Sequence, residues 1–84
     1  MSYAISILRR AQRELASLPP QSYERTKESI LTLDEEPRPR GCQKLAGREG
    51  WRIRVGDYRV IYEIDDDRRT VTVLHVGHRR DIYR

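Results

Sequence analysis

The 84-residue chain has no phenylalanine, one tryptophan, one methionine and one cysteine. A single Cys42 can neither close an internal disulfide nor build a cysteine-based zinc site, so it reads as a small loop residue suited to a reducing cytoplasm. No apolar run approaches the length that crosses a bilayer, and no charged start followed by an apolar stretch marks an export signal. A cytoplasmic chain with no membrane partner is expected. His75 and His78 lie three apart without carboxylates at metal-ligand spacing, so no metal and no cofactor is expected. Asp65-Asp66-Asp67 runs into Arg68-Arg69, lacks the ligand spacing of a calcium loop, and reads as a solvated turn. A glycine-rich phosphate loop is absent too.

What the chain has in quantity is arginine, which supplies 15 of its 17 basic side chains. The net charge of +4 is unevenly spread. Residues 1–36 carry 5 basic and 6 acidic groups, a net −1, while residues 37–84 carry 12 and 7, a net +5. Arginine's planar fork of donors suits phosphate better than lysine's point charge does, so a polyanionic partner is one reading. A solvated surface with arginine favoured by genomic composition is the other.

One domain with one modest core is all that this length allows. Alternation over Ser2–Leu8 puts Tyr3, Ile5 and Ile7 on one face of a strand. Leu8, Ala11, Leu15 and Leu18 then follow helical spacing until Pro19-Pro20 stops it. Pro20 suits the first turn of a second helix running to about Glu36, with Tyr23, Ile30 and Leu33 as its buried stripe. Pro37-Arg38-Pro39-Arg40-Gly41 forbids regular structure, and residues 37–50 read as a connection. Trp51–Val55 and Tyr58–Ile64 alternate on either side of Gly56-Asp57, a two-residue hairpin signal. Thr70–Val76 is a further strand. The order β-α-α-β-β-β predicts an α+β domain, a helical hairpin packed on a mainly antiparallel four-stranded sheet.

The hairpin register places Arg54 opposite Arg59, with Arg52 on the same face, while Trp51, Ile53, Val55, Tyr58, Val60 and Tyr62 form an apolar face. Like charges directly across two strands destabilise a sheet, so folding alone gives no reason for the pair. An anion would relieve it; two side chains splayed into water would also tolerate it. Beyond the last strand, Arg79 and Tyr83 add a cation and an aromatic ring. Arginine for phosphate with a ring for an unstacked base is what single-stranded nucleic acid requires. Tyr83 packed on the domain edge is the alternative.

The runs Gly50-Trp51-Arg52-Ile53-Arg54-Val55-Gly56-Asp57-Tyr58-Arg59-Val60-Ile61-Tyr62-Glu63-Ile64 and Val76-Gly77-His78-Arg79-Arg80-Asp81-Ile82-Tyr83, with Lys44-Leu45-Ala46-Gly47 upstream, resemble the RelE family of the RelE/ParE toxin superfamily. The resemblance covers essentially the whole chain. It implies a toxin of a type II toxin-antitoxin system that cleaves translated mRNA on the ribosome without a metal. A RelB-like antitoxin would neutralise it, and ribosomal RNA would be a further contact. It assigns phosphate contacts to Arg52 and Arg54, transition-state stabilisation to Arg59, the leaving oxygen to Arg79 and base stacking to Tyr83. The chain departs from the best-known member in having arginine rather than lysine at Arg52 and Arg54. Arginine hardly deprotonates and is a very poor general base, so His78 is the candidate substitute. ParE-like inhibition of DNA gyrase without RNA cleavage, and a catalytically silent antitoxin-binding relative, are the other functions this resemblance allows.

Overall fold

The structure is a computed structural model that describes residues 2–78. The chain runs β1 (Ala4–Ile7), α1 (Arg9–Ala16), α2 (Pro20–Leu31), a 3-10 turn (Thr32–Asp34), β2 (Gln43–Lys44), β3 (Trp51–Val55), β4 (Tyr58–Asp65) and β5 (Thr70–His78). The strands form one five-stranded sheet in the order β1-β5-β4-β3-β2. The α+β class and the helical hairpin match the sequence reading, but the sheet has five strands rather than four. The added strand is the two-residue β2, where Gln43 pairs with Arg52 and Lys44 with Trp51. Two residues are too few to leave an alternation in the sequence. β1 runs parallel to β5 while the other pairs are antiparallel.

Proline sets the helical break as expected. Pro19 holds the cap position of α2 and Pro20 its first turn, where a missing N–H leaves no bond unmade. The regular helix ends at Leu31 rather than near Glu36, and the chain tightens into the 3-10 turn that buries Leu33. Leu8, placed by its spacing in the first helical stripe, instead lies exposed in extended backbone just before α1. Ala11 and Leu15 of α1, with Ile30 and Leu33, pack on Ile53, Val55, Val60, Tyr62, Val71, Val73 and Val76 of the sheet. The helices therefore cover one face of the sheet, the apolar face of the β3–β4 hairpin. No helix among the described residues is long and apolar enough to cross a membrane.

Turn chemistry fixes the hairpin. Gly56 has φ +61 and Asp57 does not share the positive sign, the pattern of a type II′ turn, whose first central position favours glycine. Gly50, at φ +123, enters β3 where an added Cβ would stand 3.1 Å from the Leu45 side chain and 3.4 Å from the Tyr62 carbonyl oxygen. The connection before β2 is tied to the core, since the buried Tyr62 hydroxyl donates to the Pro37 carbonyl at 2.8 Å.

β5 contains a bulge. Val60 pairs with Val76 and Ile61 with His75, yet Tyr62 pairs with Val73, so Leu74 is the extra residue. The bulge re-phases the strand: Val71 and Val73 face the helices before it, and Val76 faces them after it.

Candidate nucleic-acid interface

Arg52, Arg54 and Arg59 lie on the sheet face that points away from the helices. Arg54 pairs with Arg59, as the hairpin register requires, and Arg52 pairs with Ile61. The two members of the arginine pair differ in burial. Arg54 is exposed, whereas Arg59 is only 7% exposed, and its Nη1 donates to the Tyr58 carbonyl at 3.2 Å. Neither of the two sequence readings foresaw this division. One guanidinium turns to solvent while the other lies along the sheet, which separates two charges whose backbones are fixed opposite each other. Arg52 is half-buried and donates through Nη2 to Gln43 Oε1 on β2. The short edge strand thus positions an arginine as well as pairing with backbone.

Across β3, β4 and β5 the face is ordered in rows. Arg54, Arg59 and Gly77 make one row, and Arg52, Ile61 and His75 make the next. Ile61 is buried on this otherwise polar face and gives the arginines an apolar floor. Gly77 leaves the place beside Arg59 without a side chain. His78 pairs with Tyr58, so alternation puts it on the opposite face from Arg54 and Arg59. Its ring lies edge-on to Tyr58, with centroids 5.7 Å apart. This placement removes His78 from the arginine row, contrary to its sequence-based role as a substitute base. Arg79 and Tyr83 lie outside the described residues.

Sequence reasoning missed three features. His75 was read as an ordinary strand residue, but the bulge brings it into the arginine face. A signal for this existed in the spacing Val71, Val73, Val76, which steps by two and then by three. Glu14, at the solvent-side end of the α1 stripe, accepts from the Val76 N–H at 2.9 Å and lies 3.8 Å from His75 Nδ1. The aspartate turn is also engaged rather than merely solvated. Asp66 receives the Tyr3 hydroxyl at 2.7 Å and a forked pair of bonds from Arg38, and Asp65 caps the Arg68 N–H. The Arg38 and Tyr3 hydrogen bonds hold the Asp66 carboxyl below its ordinary range, and the Asp66 bond pushes the Tyr3 hydroxyl up. The Arg38 guanidinium also sits 5.1 Å from the Trp51 ring centroid, with Lys44 Nζ at 5.5 Å, a cation–π arrangement at the start of β3.

What the arginine face can do is bind a phosphate and stabilise charge on it. Guanidinium groups stay protonated and offer forked donors, and a group held flat on a sheet loses little freedom when an oxyanion arrives. Among the described residues no group of three or more histidine, cysteine or carboxylate side chains is placed to hold a metal.

Comparison with known proteins agrees with this geometry. Residues 3–83 match the family described as the ParE toxin of type II toxin-antitoxin systems, parDE. Toxin RelG of Mycobacterium tuberculosis is 39% identical over 88 aligned positions, covering 100% of this chain and 99% of the relative. Among solved structures, the toxin-antitoxin complex RelBE2 of M. tuberculosis contains a chain that superposes with a TM-score of 0.84 at 33% identity, covering 94% of this chain and 100% of that one. The RelE-RelB complex of Pyrococcus horikoshii gives the same TM-score and identity, covering 96% and 99%. With a family match that spans nearly the whole chain and relatives aligned end to end, the protein belongs to the RelE/ParE toxin family and is a RelE/RelG-type toxin of a type II toxin-antitoxin system.

Proposed function

We propose that this toxin is a ribosome-dependent endoribonuclease that cuts translated mRNA in the cytoplasm. The 2′-hydroxyl of one nucleotide attacks the adjacent phosphodiester, leaving a 2′,3′-cyclic phosphate and a free 5′-hydroxyl. The observation that carries this reading is the Arg54–Arg59 pair beside Arg52 on the face away from the helices. Such a pair opposes folding and is relieved by a bound phosphate. Arg52 and Arg54 contact the phosphate, and Arg59, held along the sheet, stabilises the charge that builds on its oxygens. Arg79 serves the leaving oxygen and Tyr83 stacks on a message base. The ribosome supplies alignment of the 2′-oxygen with the departing 5′-oxygen, so no metal at the toxin is needed.

The partner that silences it is a RelB-like antitoxin, as the RelE-RelB composition of the solved relatives suggests. An acidic or amphipathic segment folding over the arginine face suits that task. The test is to add the antitoxin-free protein to ribosomes programmed with a defined message and map RNA ends. Breaks within translated codons, ending in cyclic phosphate, are expected. Intact message together with trapped gyrase–DNA cleavage complexes would replace the proposal with the gyrase-inhibitor reading, and neither effect would mark a silent antitoxin-binding relative.

A further inference from the structure

Arginine leaves the proposed reaction without a proton acceptor. Arg52, Arg54 and Arg59 stay charged at any pH where the protein is folded, and none can take the 2′-hydroxyl proton. His78 is on the other face. The remaining histidine has the required position.

We infer that His75 accepts the 2′-hydroxyl proton and that Glu14 is its positioning residue, an inference that rests on the ribonuclease reading above. The bulge at Leu74 sets His75 opposite Ile61, whose other neighbour is Arg52, so His75 and Arg52 flank the same apolar floor. Strands lie about 4.8 Å apart, so the two backbones are separated by roughly 10 Å, a span that a phosphodiester and its ribose fill. Gly77 puts no side chain between His75 and the diagonal Arg59 position. His75 is partly open, with 26% of its side chain exposed.

Glu14 orients this ring. Its Oε1 is fixed by the Val76 N–H at 2.9 Å, and its Oε2 faces Arg10 Nε at 3.6 Å. His75 Nδ1 stands 3.8 Å from that Oε1, ion-pair distance that stabilises the imidazolium once it forms. A carboxylate on the Nδ1 side favours the proton there and leaves Nε2 as the acceptor. The charged groups around the ring are Glu14 and Arg10 from α1, and Arg52, Arg54 and Arg59 from β3 and β4; β1 contributes no titratable side chain.

The step balances. The O2′–H proton passes to His75 Nε2 as the O2′–P bond forms and the P–O5′ bond breaks. The departing 5′-oxygen takes a proton and becomes a hydroxyl, while the imidazolium returns its proton to solvent. No oxidant, reductant or metal enters.

The test is single-turnover cleavage on programmed ribosomes across pH, using the full chain, with urea unfolding as the folding control. Wild-type cleavage is expected to fall on the acid side as the imidazole is protonated. His75→Gln should lower the rate about a hundredfold at neutral pH and abolish that acid limb. Added imidazole should partly restore His75→Gly. Glu14→Gln should slow cleavage about tenfold while keeping an acid limb. A folded His75→Gln that cleaves at the wild-type rate, or one that is slow with the limb unchanged and no imidazole rescue of His75→Gly, overturns the inference while leaving the ribonuclease reading intact. Wild-type protein that leaves every message intact overturns both. A poorly folded His75→Gln passes the decision to the Glu14→Gln rate and the wild-type pH profile, and a flat wild-type profile overturns the inference.

Discussion

The two ends of the open sheet face use charge in opposite ways. At the end beside the Gly56-Asp57 turn, Arg54 and Arg59 are paired like to like and Arg52 lies one row away. At the end beside the β4–β5 turn, a hollow of about 680 Å³ is lined by Glu49, Glu63, Asp65, Asp66 and Asp67, among others. The acidic end is internally answered. Asp66 joins the start of β1 through Tyr3 to the proline-rich connection through Arg38, and Asp65 stabilises its own turn. At the arginine end, the paired backbones hold two guanidinium-bearing residues together without a carboxylate among the register partners Tyr58, Ile61 and Gly77. One end is arranged to hold the fold; the other is arranged for something that arrives. The segregation also gives the face a direction, repelling phosphate at one end and attracting it at the other.

This contrast is broken most strongly at Arg59. Arg59→Gln should reduce single-turnover cleavage on ribosomes by about a hundredfold or more, by analogy with the loss of one preorganised oxyanion contact. Its urea unfolding free energy should change by less than about 1 kcal/mol, because relief of the cross-strand repulsion offsets lost packing of the buried stem. A large loss of stability with the rate preserved would make Arg59 a structural residue. Tyr83 comes next. Tyr83→Ala should slow cleavage about tenfold, in line with roughly 1–3 kcal/mol for base stacking, while Tyr83→Phe stays near wild type. Equal losses from both would assign the role to the hydroxyl.

The fold-holding end should behave in reverse. Tyr62→Phe removes the hydroxyl that anchors Pro37 and should cost about 1 kcal/mol in urea unfolding, with cleavage little changed. The smallest effect is expected at Asp66. Asp66→Asn should lower the urea midpoint slightly and leave cleavage unchanged. Because Arg38 and Tyr3 depress the folded-state carboxyl, its contribution is present above the ordinary carboxylate range and is lost as pH falls through the lowered value. Acidification below about pH 4 should therefore narrow the gap between wild type and Asp66→Asn. Tyr3 has the opposite sign: its hydroxyl is raised, so its share persists below about pH 10 and fades above it. A gap that widens with acid would contradict the assignment.

Much of this arrangement was legible in the residues. Gly56-Asp57 fixed the hairpin, and with it the Arg54–Arg59 register, because a two-residue loop leaves one pairing that buries the apolar alternation. Pro19-Pro20 located the helical break for a similarly local reason. The features that escaped were those set by tertiary contacts. β2 forms because Gln43 and Lys44 meet an already formed β3, not because of any strand pattern of their own. The unequal burial of Arg54 and Arg59 is a choice between side chains that alternation treats alike. His75 and His78 exchanged faces relative to an unbroken strand because of one bulge, whose trace in the valine spacing was overlooked. Asp66 found its partners 63 and 28 residues away in sequence, beyond the reach of local pattern.

The central claim is that the arginine pair opposes folding, and a double-mutant cycle on Arg54→Gln and Arg59→Gln tests it most directly. Urea unfolding at low salt would be measured for the wild type, both single variants and the double variant. The cycle cancels the packing lost with each stem and isolates the interaction between the charges. The account predicts a repulsive coupling of roughly 0.2–1 kcal/mol that shrinks as salt is raised. A coupling near zero at low salt, or one that is attractive, would contradict it.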